Sequence, residues 1–345
     1  MYSRVGGIMI LIEGIGGIGG VVAARMIQAG YDVTLVTNNA TITEAIESNG
    51  LQIKTPEGDL TVSAKVYTDL PTDQTFDAAY LIMKATGVLD AVRDTMPLLK
   101  PDGYVVTFQN GVVEDAVAEI IGQERVVSGI IGWGGTMHAP GVYEKTSIGT
   151  THIGELDGQI TPRLRELEKA MSTSAEAVVT TNIRGALWSK LAINCTITTI
   201  GALTGDTLGV MLQDKRMRQV FLRGYSEVVD TAEASGITLE RIATNPHLLY
   251  VKPNAGSINL FIKDLLVRFV GRKYGKLKSS SLQSLERGRK TEIDYLNGYV
   301  VEQAKQVNIP TPVNAALVKM IKEIEAGERT IQPSNLDDLF STFSP

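Results

Sequence analysis

Three polar residues occur at helical spacing inside an otherwise largely apolar run, LWSKLAINCTIT. Lys190, Asn194 and Thr198 follow one another at intervals of four residues, so on a helix they share one side over about 12 Å. An ammonium group on a buried helical face is costly unless it is paired, used or able to reach water. Two interpretations follow. Lys190 packs its stem at the edge of a core and reaches solvent, or the three residues form a polar row that faces a cleft.

A second polar segment, SSSLQSLERGRKTEID at 279–294, favours the cleft interpretation. It begins one predicted helix with serines and a second with Thr291, which is followed by Asp294 in the spacing of a capping box. The simpler interpretation is a helix start and nothing more. Glu292 would lie in the first turn of that helix, where the helix dipole favours its ionised form. We expect this carboxylate to face Lys190 across a cleft and to keep the lysine charged.

A glycine-rich turn near the N-terminus has the spacing of a dinucleotide site, GxGxxG. Gly14 permits the tight turn, Gly16 lets the backbone approach a pyrophosphate, and Gly19 allows close packing of helix on strand. The motif alone also fits a turn without a ligand, but here strand, turn, helix and second strand follow in order, and the phosphates would lie at the positive helix end. The predicted cofactor-binding residues are Gly14, Ile15, Gly16, Gly17, Ile18 and Gly19.

The end of the second predicted strand indicates which dinucleotide to expect. NAD sites usually carry Asp or Glu about 20 residues after the glycines, where it binds the ribose 2′-OH. Thr37, Asn38 and Asn39 occupy that place here, and Asp32 begins the strand rather than ending it. Because no carboxylate repels a 2′-phosphate, we expect NADP(H) rather than NAD(H). Because no arginine attracts that phosphate, we expect the preference to be modest.

The predicted secondary structure changes from alternating strands and helices to helices alone near residue 180. Before it, β-branched runs alternate with amphipathic stretches, which predicts βαβ crossovers and a mostly parallel sheet. Two last segments, VYEKTSIG and THIGEL, are predicted to form a hairpin at the far edge of that sheet. The predicted strands cover 8–13, 32–36, 78–83, 103–108 and 125–131. After Asn182 the patterns are helical, with predicted helices at 183–202, 206–235, 258–271, 279–287, 291–308 and 312–327.

The fold class is therefore predicted as α/β. A Rossmann-type domain with a mostly parallel sheet would cover residues 1–181, and an all-helical substrate domain would cover 182–345. Since no low-complexity linker separates them, we expect the two domains to pack closely around a cleft.

Composition and charge narrow the choice of partners. The 345 residues are 43% hydrophobic and 21% charged, with a net charge of −5, so we expect a small-molecule ligand and neither nucleic acid nor membrane. Cys195 is the single cysteine, so no internal disulfide can form and a cytoplasmic location is expected. His138, His152 and His247 lack the spacing of a metal site, so no metal is expected. The sequence allows a homodimer.

The same blocks of sequence resemble the ketopantoate reductases (2-dehydropantoate 2-reductases) over nearly the whole chain. The resemblance rests on GIGGIGG, on Lys84 in LIMKATG, on Asn110 in FQNG, on NIRGALWSKLAINC, on SSSLQSLERGRKTEIDYLNG and on IEAGERTIQPSNL. It implies a Rossmann domain followed by a helical domain. The implied reaction is reduction of the 2-keto group of ketopantoate to pantoate by NADPH, in pantothenate biosynthesis.

The resemblance also implies roles for the two polar segments. Lys190 matches the family's catalytic lysine, and Asn194 matches a substrate-contacting asparagine. Ser280 matches a serine that contacts the substrate, and Glu292 matches the glutamate of the TEID motif, with a catalytic role beside the cofactor. Lys190 would stabilise the charge that builds on the carbonyl oxygen as hydride arrives, and would then protonate that oxygen.

On the cofactor side, the resemblance matches Asn110 to an asparagine near the nicotinamide and substrate, and Lys84 to a lysine near the cofactor. The chain departs from the family at Asn38, where members often have an arginine for the 2′-phosphate. It departs again at Thr198, a predicted substrate-binding position where the family usually has a second asparagine. A different branched or hydroxylated 2-keto acid is therefore the alternative substrate. A nucleotide-binding regulator without catalysis is the alternative of another class.

Residues 245–278 are longer than the family leads us to expect. The part from Ile258 is apolar on one side and carries Lys263, Arg268, Arg272, Lys273 and Lys276. A basic amphipathic helix can bind a membrane surface, but an added wall of the cleft or a dimer contact is the interpretation we favour. The glycines of 132–143 fit either a mobile turn over the cofactor or a plain hairpin.

Overall fold

The computed structural model describes residues 7–56, 58–242, 244–253, 255–273, 275 and 278–341. The chain divides into two compact units. The first contains residues up to 109 and 113–183, and the second contains 110–112 and everything from 184. The sequence pattern predicts the boundary at 181/182 with Asn110–Val112 in the first domain, whereas the structure groups Asn110–Val112 with the second unit. Of the basic residues noted in 245–278, Lys276 and the side chain of Lys273 lie outside the described residues.

Twelve strands lie in the described part of the first unit. In chain order they are β1 (Met9–Glu13), β2 (Asp32–Val36), β3 (Leu51–Lys54), β4 (Leu60–Val62), β5 (Lys65–Tyr67), β6 (Phe76–Leu81), β7 (Leu99–Thr107), β8 (Val126–Ile131), β9 (Gly135–Ala139), β10 (Val142–Lys145), β11 (Thr151–Glu155) and β12 (Ala177–Val179). The main sheet has eight strands in the order β12-β11-β8-β7-β6-β1-β2-β5. All neighbours are parallel except β8 and β11, so the predicted mostly parallel Rossmann-type sheet is confirmed.

The helices of the first unit are α1 (Gly17–Gln28), α2 (Ala40–Asn49), α3 (Val88–Thr95), α4 (Glu114–Ile121) and α5 (Pro162–Ser172). Local sequence explains their ends. Asn39 caps α2, because its side chain accepts hydrogen bonds from the N–H groups of Thr41 and Ile42 at 3.1 and 3.4 Å. α2 ends at Asn49, and the residue that follows it is Gly50, whose φ of +74° favours glycine.

The strand β10 belongs to a second sheet, in the order β4-β3-β10-β9. The predicted hairpin of VYEKTSIG and THIGEL is therefore wrong, because β10 pairs with β9 and β3 while β11 pairs with β8 and β12. The reason is the packing of Tyr143, which is fully buried. A Cβ on Gly20 of α1 would lie 2.4 Å from its ring, and its hydroxyl donates to the carbonyl of Ile15 at 3.1 Å.

This second sheet explains why α1 is apolar on nearly all sides. Residues from β1, α1, β3 and β10 form one buried cluster, so α1 is covered on more than one face. The pattern of GIGGVVAARMIQ predicts the helix, but it does not predict that a second sheet packs on it. The strands β3 and β4 alternate apolar and polar residues over only four and three positions, LQIK and LTV. Such short runs do not by themselves predict strands, and the pairing of β3 depends on its contact with β10.

The second unit is helical. Its helices are α6 (Ile183–Thr204), α7 (Leu208–Met211), α8 (Lys215–Ala234), α9 (Ser257–Lys273), α10 (Ser280–Glu286), α11 (Asn297–Gln306), α12 (Pro312–Glu325) and α13 (Asn335–Ser341). The predicted helix 206–235 is two helices, because Asp214 caps α8 by accepting from the N–H of Arg216 at 2.7 Å. The predicted helix 291–308 is a 3-10 turn, Ile293–Tyr295, followed by α11. α13 was not predicted.

Among the described residues, no helix is both long enough and apolar enough to cross a bilayer.

Candidate active site

The glycine turn lies where three neighbouring parallel strands end. β1 lies between β6 and β2 in the main sheet, so the loops that follow these strands leave from the same edge. Those loops carry the predicted cofactor residues 14–19, Asn38 and Lys84. The chain continues from β1 to β2 on one side and returns to β6 on the other, and open sheets of this kind bind ligands at such a reversal point.

The geometry of the turn fits a pyrophosphate group. Gly14 has a φ of +95°, and a Cβ there would lie 2.7 Å from the carbonyl carbon of Ile82. A Cβ on Gly19 would lie 2.0 Å from the carbonyl oxygen of Gly14. By contrast, a Cβ on Gly16 would meet no atom within 4 Å, and Gly16 caps α1 without a side chain. Phosphate oxygens in that open space would accept hydrogen bonds from the first N–H groups of the helix.

The hairpin of β9 and β10 packs directly on this turn. A Cβ on Gly17 would lie 2.2 Å from the carbonyl oxygen of Gly135, and a Cβ on Gly135 would lie 2.6 Å from that of Gly17. The glycines of 132–143 therefore belong to a hairpin whose backbone approaches the helix start. Gly17 is outside the GxGxxG pattern, so only this tertiary contact explains why it is glycine.

Asn38 differs from its two neighbours at the end of β2, because those two have structural roles. Asn39 caps α2, and Thr37 is buried, with its N–H donated to the carbonyl of Tyr67 at 3.1 Å. Asn38 is exposed. It is the residue of this corner that could contact the adenosine ribose or a phosphate on it.

Two buried residues support this edge and were missed from sequence. The side-chain amide of Gln109 donates to the carbonyls of Leu81 and Met83 at 2.9 and 3.2 Å, and so holds the segment that leads to Lys84. Burial raises the pKa of Glu13 to about 7, while a hydrogen bond from the hydroxyl of Thr95 opposes the shift. Glu13 and Gln109 are polar residues at the ends of apolar strands, and this pattern could have identified them from the sequence.

In the second unit, Lys190, Asn194 and Thr198 lie along one side of α6 and are all partly exposed. Asn194 carries the clearest chemical signal. Its side-chain Nδ2 is buried and has no hydrogen-bond partner among the residues that the structure describes. Such an arrangement costs about 1–3 kcal/mol unless a ligand supplies an acceptor. The hydroxyl of Thr198 donates to the carbonyl of Asn194 at 2.6 Å, so towards a ligand Thr198 can act only as an acceptor.

The TEID motif forms a tight turn rather than a capping box. Thr291 accepts from the N–H of Ile293 at 3.2 Å and donates to Glu325, and the exposed Asp294 pairs with Lys322 at 2.6 Å. Asp294 therefore does not return a bond to the Thr291 backbone. Glu292 is buried and precedes the 3-10 turn, not the first turn of a long helix.

The NG turn after β7 packs against this motif. The N–H of Val112 donates to the carbonyl of Tyr295 at 3.3 Å, and a Cβ on Gly111 would lie 2.3 Å from the same oxygen. Gly111 has a φ of +97°, which favours glycine. Gly111 and Val112, the neighbours of Asn110, therefore contact Tyr295, which is three residues after Glu292 in sequence.

Asn297, which begins α11, joins the TEID turn to α6. Its Nδ2 donates to the carbonyl of Cys195 at 2.8 Å and to the side chain of Asn314 at 2.9 Å, and its Oδ1 accepts from Thr199 at 2.7 Å. Cys195 and Thr199 flank Asn194 and Thr198 on the same helix. Asn297 is fully buried, so it fixes the helix that carries Lys190 against the segment that carries Glu292. Sequence reasoning did not identify it.

The network continues into the core of the second unit. Asn314 donates from its side chain to Glu227 at 2.7 Å, and the backbone N–H groups of Val313 and Asn314 donate to the same carboxylate. Burial raises the pKa of Glu227 to about 7, and these hydrogen bonds oppose that shift. Burial also raises the pKa of the Cys195 thiol, so this cysteine is a structural residue and not a nucleophile.

The serine cluster at the start of α10 also lies beside α6. Ser279 caps α10 by accepting from the N–H of Leu282 at 3.1 Å, and its Oγ would lie 3.2 Å from a Cβ on Gly201. Ser280, the predicted substrate contact, is the first residue of the helix and is exposed. The second unit therefore gathers around α6 the segments that contain Asn110, Ser280 and Glu292. Among the described residues, no group of three His, Cys, Asp or Glu side chains could hold a metal ion.

Comparison with known proteins identifies the family to which the two units are similar. The ketopantoate reductase PanE/ApbA family matches residues 10–158, and its C-terminal domain matches residues 182–325. The 2-dehydropantoate 2-reductase of Pyrococcus abyssi is 30% identical over 326 residues, which cover 92% of this chain and 98% of the relative.

Solved structures share the fold over nearly the whole chain. A PanE/ApbA family ketopantoate reductase from Ralstonia eutropha JMP134 is 25% identical, with a TM-score of 0.79, and the match covers 93% of this chain and 100% of that one. A D-mandelate dehydrogenase solved with NADH and anilino(oxo)acetate has a TM-score of 0.78 at 19% identity, again over 93% and 100% of the two chains. Because two family domains match most of the chain, the protein belongs to the ketopantoate reductase family of oxidoreductases, which act on CH–OH groups.

Proposed function

We propose that this protein reduces the keto group of a 2-keto acid with NADPH, and that ketopantoate is the substrate. The observation that carries the proposal is the buried Nδ2 of Asn194, which has no partner in the described part of the chain and lies one helical turn from Lys190. A keto acid has carboxylate and carbonyl oxygens that would accept this hydrogen bond. A row made of an ammonium, an amide and a hydroxyl suits a small oxygen-rich anion.

In the proposed mechanism, residues Gly14–Gly19 would hold the dinucleotide, which when bound would supply the hydride for the C2 carbonyl carbon. Lys190 stabilises the negative charge that develops on the carbonyl oxygen and then donates a proton to it. Asn194 and Ser280 hold oxygens of the substrate, which fixes the keto carbon for attack. Glu292 keeps the lysine charged and accepts a hydrogen bond from the substrate's hydroxyl. Asn110 orients the substrate and the nicotinamide.

For the cofactor, the first unit offers the open cradle at Gly16 and the exposed Asn38. Gly14–Gly19 would hold the pyrophosphate, with Lys84 near it at the next strand end. Asn38 can donate to a 2′-phosphate or to a 2′-hydroxyl, so the fold itself serves either dinucleotide. The NADH named with the D-mandelate dehydrogenase is consistent with this. We propose NADPH over NADH because residues 37–39, at the end of β2, include no carboxylate that would repel a 2′-phosphate.

The substrate assignment is tested with a panel of 2-keto acids under steady-state conditions. The matched control for ketopantoate is 3,3-dimethyl-2-oxobutanoate, which lacks only the terminal hydroxyl. A site that binds this hydroxyl through buried polar groups should give kcat/KM lower by about 10²-fold or more for the analogue. Turnover of another 2-keto acid without turnover of ketopantoate would favour the alternative substrate that Thr198 suggests. No turnover of any keto acid with either dinucleotide would contradict the enzyme assignment itself.

The cofactor assignment is tested by charge changes at Asn38. Wild type should have a higher kcat/KM for NADPH than for NADH. Asn38→Asp should reverse that order, because a carboxylate repels the 2′-phosphate and binds the ribose hydroxyls, and Asn38→Arg should strengthen it by about tenfold. Asn49→Asp, at the opposite end of α2, is the matched control and should leave the ratio unchanged. A wild-type preference for NADH would contradict the cofactor assignment. So would a ratio of kcat/KM for NADPH to kcat/KM for NADH that stays the same in the Asn38→Asp and Asn38→Arg variants.

A further inference from the structure

The loop between β7 and α4, residues 108–113, presents one side chain outside the core. Every residue from Gly103 to Glu114 is buried except Asn110, which is partly exposed. The side chain of Asn110 has no hydrogen-bond partner among the described residues. Because nothing described holds this side chain itself, its position depends on how the backbone of the loop is held.

Glu114, the first residue of α4, closes this loop with its carboxylate. Its Oε1 accepts hydrogen bonds from the hydroxyls of Thr107 and Ser128 at 2.9 and 2.7 Å. Its Oε2 accepts from the N–H of Val113 at 2.9 Å. Thr107 ends β7 and Val113 ends the loop, so one side chain ties the start of the loop to its end. Ser128 lies beside Thr107 on β8, which extends the connection into the main sheet.

A second anchor holds the other half of the loop. Gln109 donates from its side-chain amide to the carbonyls of Leu81 and Met83, and its Oε1 accepts from the N–H of Phe108 at 3.1 Å. Asn110 therefore lies between an anchor that directly precedes it and the anchor at Glu114 that follows it.

The carboxylate of Glu114 depends on its three donors. Glu114 is only 2% exposed, and burying an ionised carboxylate without hydrogen bonds is strongly unfavourable. Burial raises the pKa of Glu114, and the hydrogen bonds from Ser128, Thr107 and Val113 oppose that shift. Hydrogen bonds to a charged acceptor are about twice as strong as those between neutral groups. The arrangement is therefore a firm anchor for the end of the loop.

The proposed function gives Asn110 the task of orienting the substrate and the nicotinamide, and the present inference rests on that function. A displacement of about 1 Å in a positioning group can lower kcat/KM by up to about 10²-fold. A purely structural role for Glu114 predicts lost stability with kinetics that do not depend on Asn110. A role in positioning predicts a kinetic effect that needs the amide of Asn110.

We propose that Glu114 is a positioning residue of the reductase site, whose carboxylate closes the 108–113 loop and thereby sets where the amide of Asn110 meets the substrate and the nicotinamide.

The first test uses the full-length protein without cofactor or substrate. Hydrogen–deuterium exchange with mass spectrometry measures the protection of the amides in peptides that cover 108–114. Glu114→Ala should raise the exchange rate of this segment by about tenfold or more, because the N–H of Val113 loses its acceptor and the loop loses its anchor. Unchanged protection in this variant would overturn the proposal.

Glu155→Ala is the matched control for a general loss of stability. Glu155 is also a buried carboxylate that accepts three hydrogen bonds, one from Thr161 and two from Arg163. It ends β11, which is antiparallel to β8, so it lies at the opposite edge of the same sheet. Glu155→Ala should leave the exchange rate of 108–114 within about twofold of wild type. An equal rise in both variants would overturn the proposal.

The second test is a double-mutant cycle, measured with the 2-keto acid that wild type turns over with the highest kcat/KM. Asn110→Ala and Glu114→Ala should each lower kcat/KM by about tenfold or more. In the Asn110→Ala background, Glu114→Ala should change kcat/KM by less than about twofold, because no amide is left to position. Glu155→Ala should keep kcat/KM within about twofold of wild type.

The outcomes of the cycle separate this proposal from the proposed function. Equal losses from Glu114→Ala in both backgrounds would overturn the positioning role and leave the role of Asn110 intact. An Asn110→Ala variant with the kcat/KM of wild type would overturn both.

If Glu114→Ala does not fold, Glu114→Gln takes its place in the cycle. Glutamine keeps the volume and one acceptor oxygen, but it cannot serve all three donors as the carboxylate does. It should therefore lower kcat/KM by about threefold in the wild-type background and leave it unchanged in the Asn110→Ala background. A loss of equal size in both backgrounds would again overturn the proposal.

Discussion

Replacing Lys190 with alanine should lower kcat by about 10²-fold or more, the usual effect of losing a general acid. The Kd for NADPH should change by less than about twofold, because the cofactor cradle at Gly14–Gly19 lies on a different unit of the chain. Steady-state kinetics would give kcat, and a fluorescence titration of NADPH without substrate would give the Kd. The split between the two constants separates a lost proton donor from a damaged fold.

The control for this variant is Lys319→Ala, which removes an exposed lysine of α12 that pairs with Glu323 at 3.8 Å. It should leave both constants unchanged. Lys190→Arg keeps the charge but not the proton donation, because arginine stays protonated in proteins. It should therefore recover substrate binding without recovering kcat. A Lys190→Ala variant with normal kcat would return this lysine to the first interpretation, in which its stem packs and its amine only reaches water.

Asn297→Ala should affect both stability and catalysis. It removes the group that bonds Cys195, Thr199 and Asn314, and the polar atoms left unpaired should cost about 2–4 kcal/mol of unfolding free energy. The loss should also let α6 shift against the turn after Glu292. A displacement of about 1 Å in an active site can lower kcat/KM by up to about 10²-fold, so we expect a loss of at least tenfold. Urea unfolding and steady-state kinetics would measure the two effects.

Asn335 provides the matched control for this variant. It is also a buried asparagine with several hydrogen bonds, but it joins α13 to the far end of α6 through the carbonyl of Leu203. Asn335→Ala should lose comparable stability and retain kcat/KM within about twofold. If Asn297→Ala were destabilised to the same extent with unchanged kinetics, Asn297 would be a structural residue with no part in positioning the site.

Much of the fold could be predicted because its signals are local. The β-branched runs and the glycine turn predicted β1, α1 and β2, since periodicity and turn chemistry depend on neighbours in sequence. The second sheet could not be predicted in this way. Tyr143 belongs to β10 because its ring fills the space above Gly20, more than 100 residues earlier in the chain. No local pattern contains that contact.

For the candidate site, the order of residues along the chain predicts which chemical groups are available. Lys190, Asn194 and Thr198 follow from helical spacing alone, because a period of 3.6 residues puts them on one side of α6. Packing of distant segments then sets which of these groups has its hydrogen bonds satisfied within the chain and which does not. It commits the hydroxyl of Thr198 to its own helix, leaves the Nδ2 of Asn194 buried without an acceptor, and makes Asn297 the link between two distant segments. The physical reason is that hydrogen-bond satisfaction and burial depend on residues brought together by packing, which spacing along the chain does not encode.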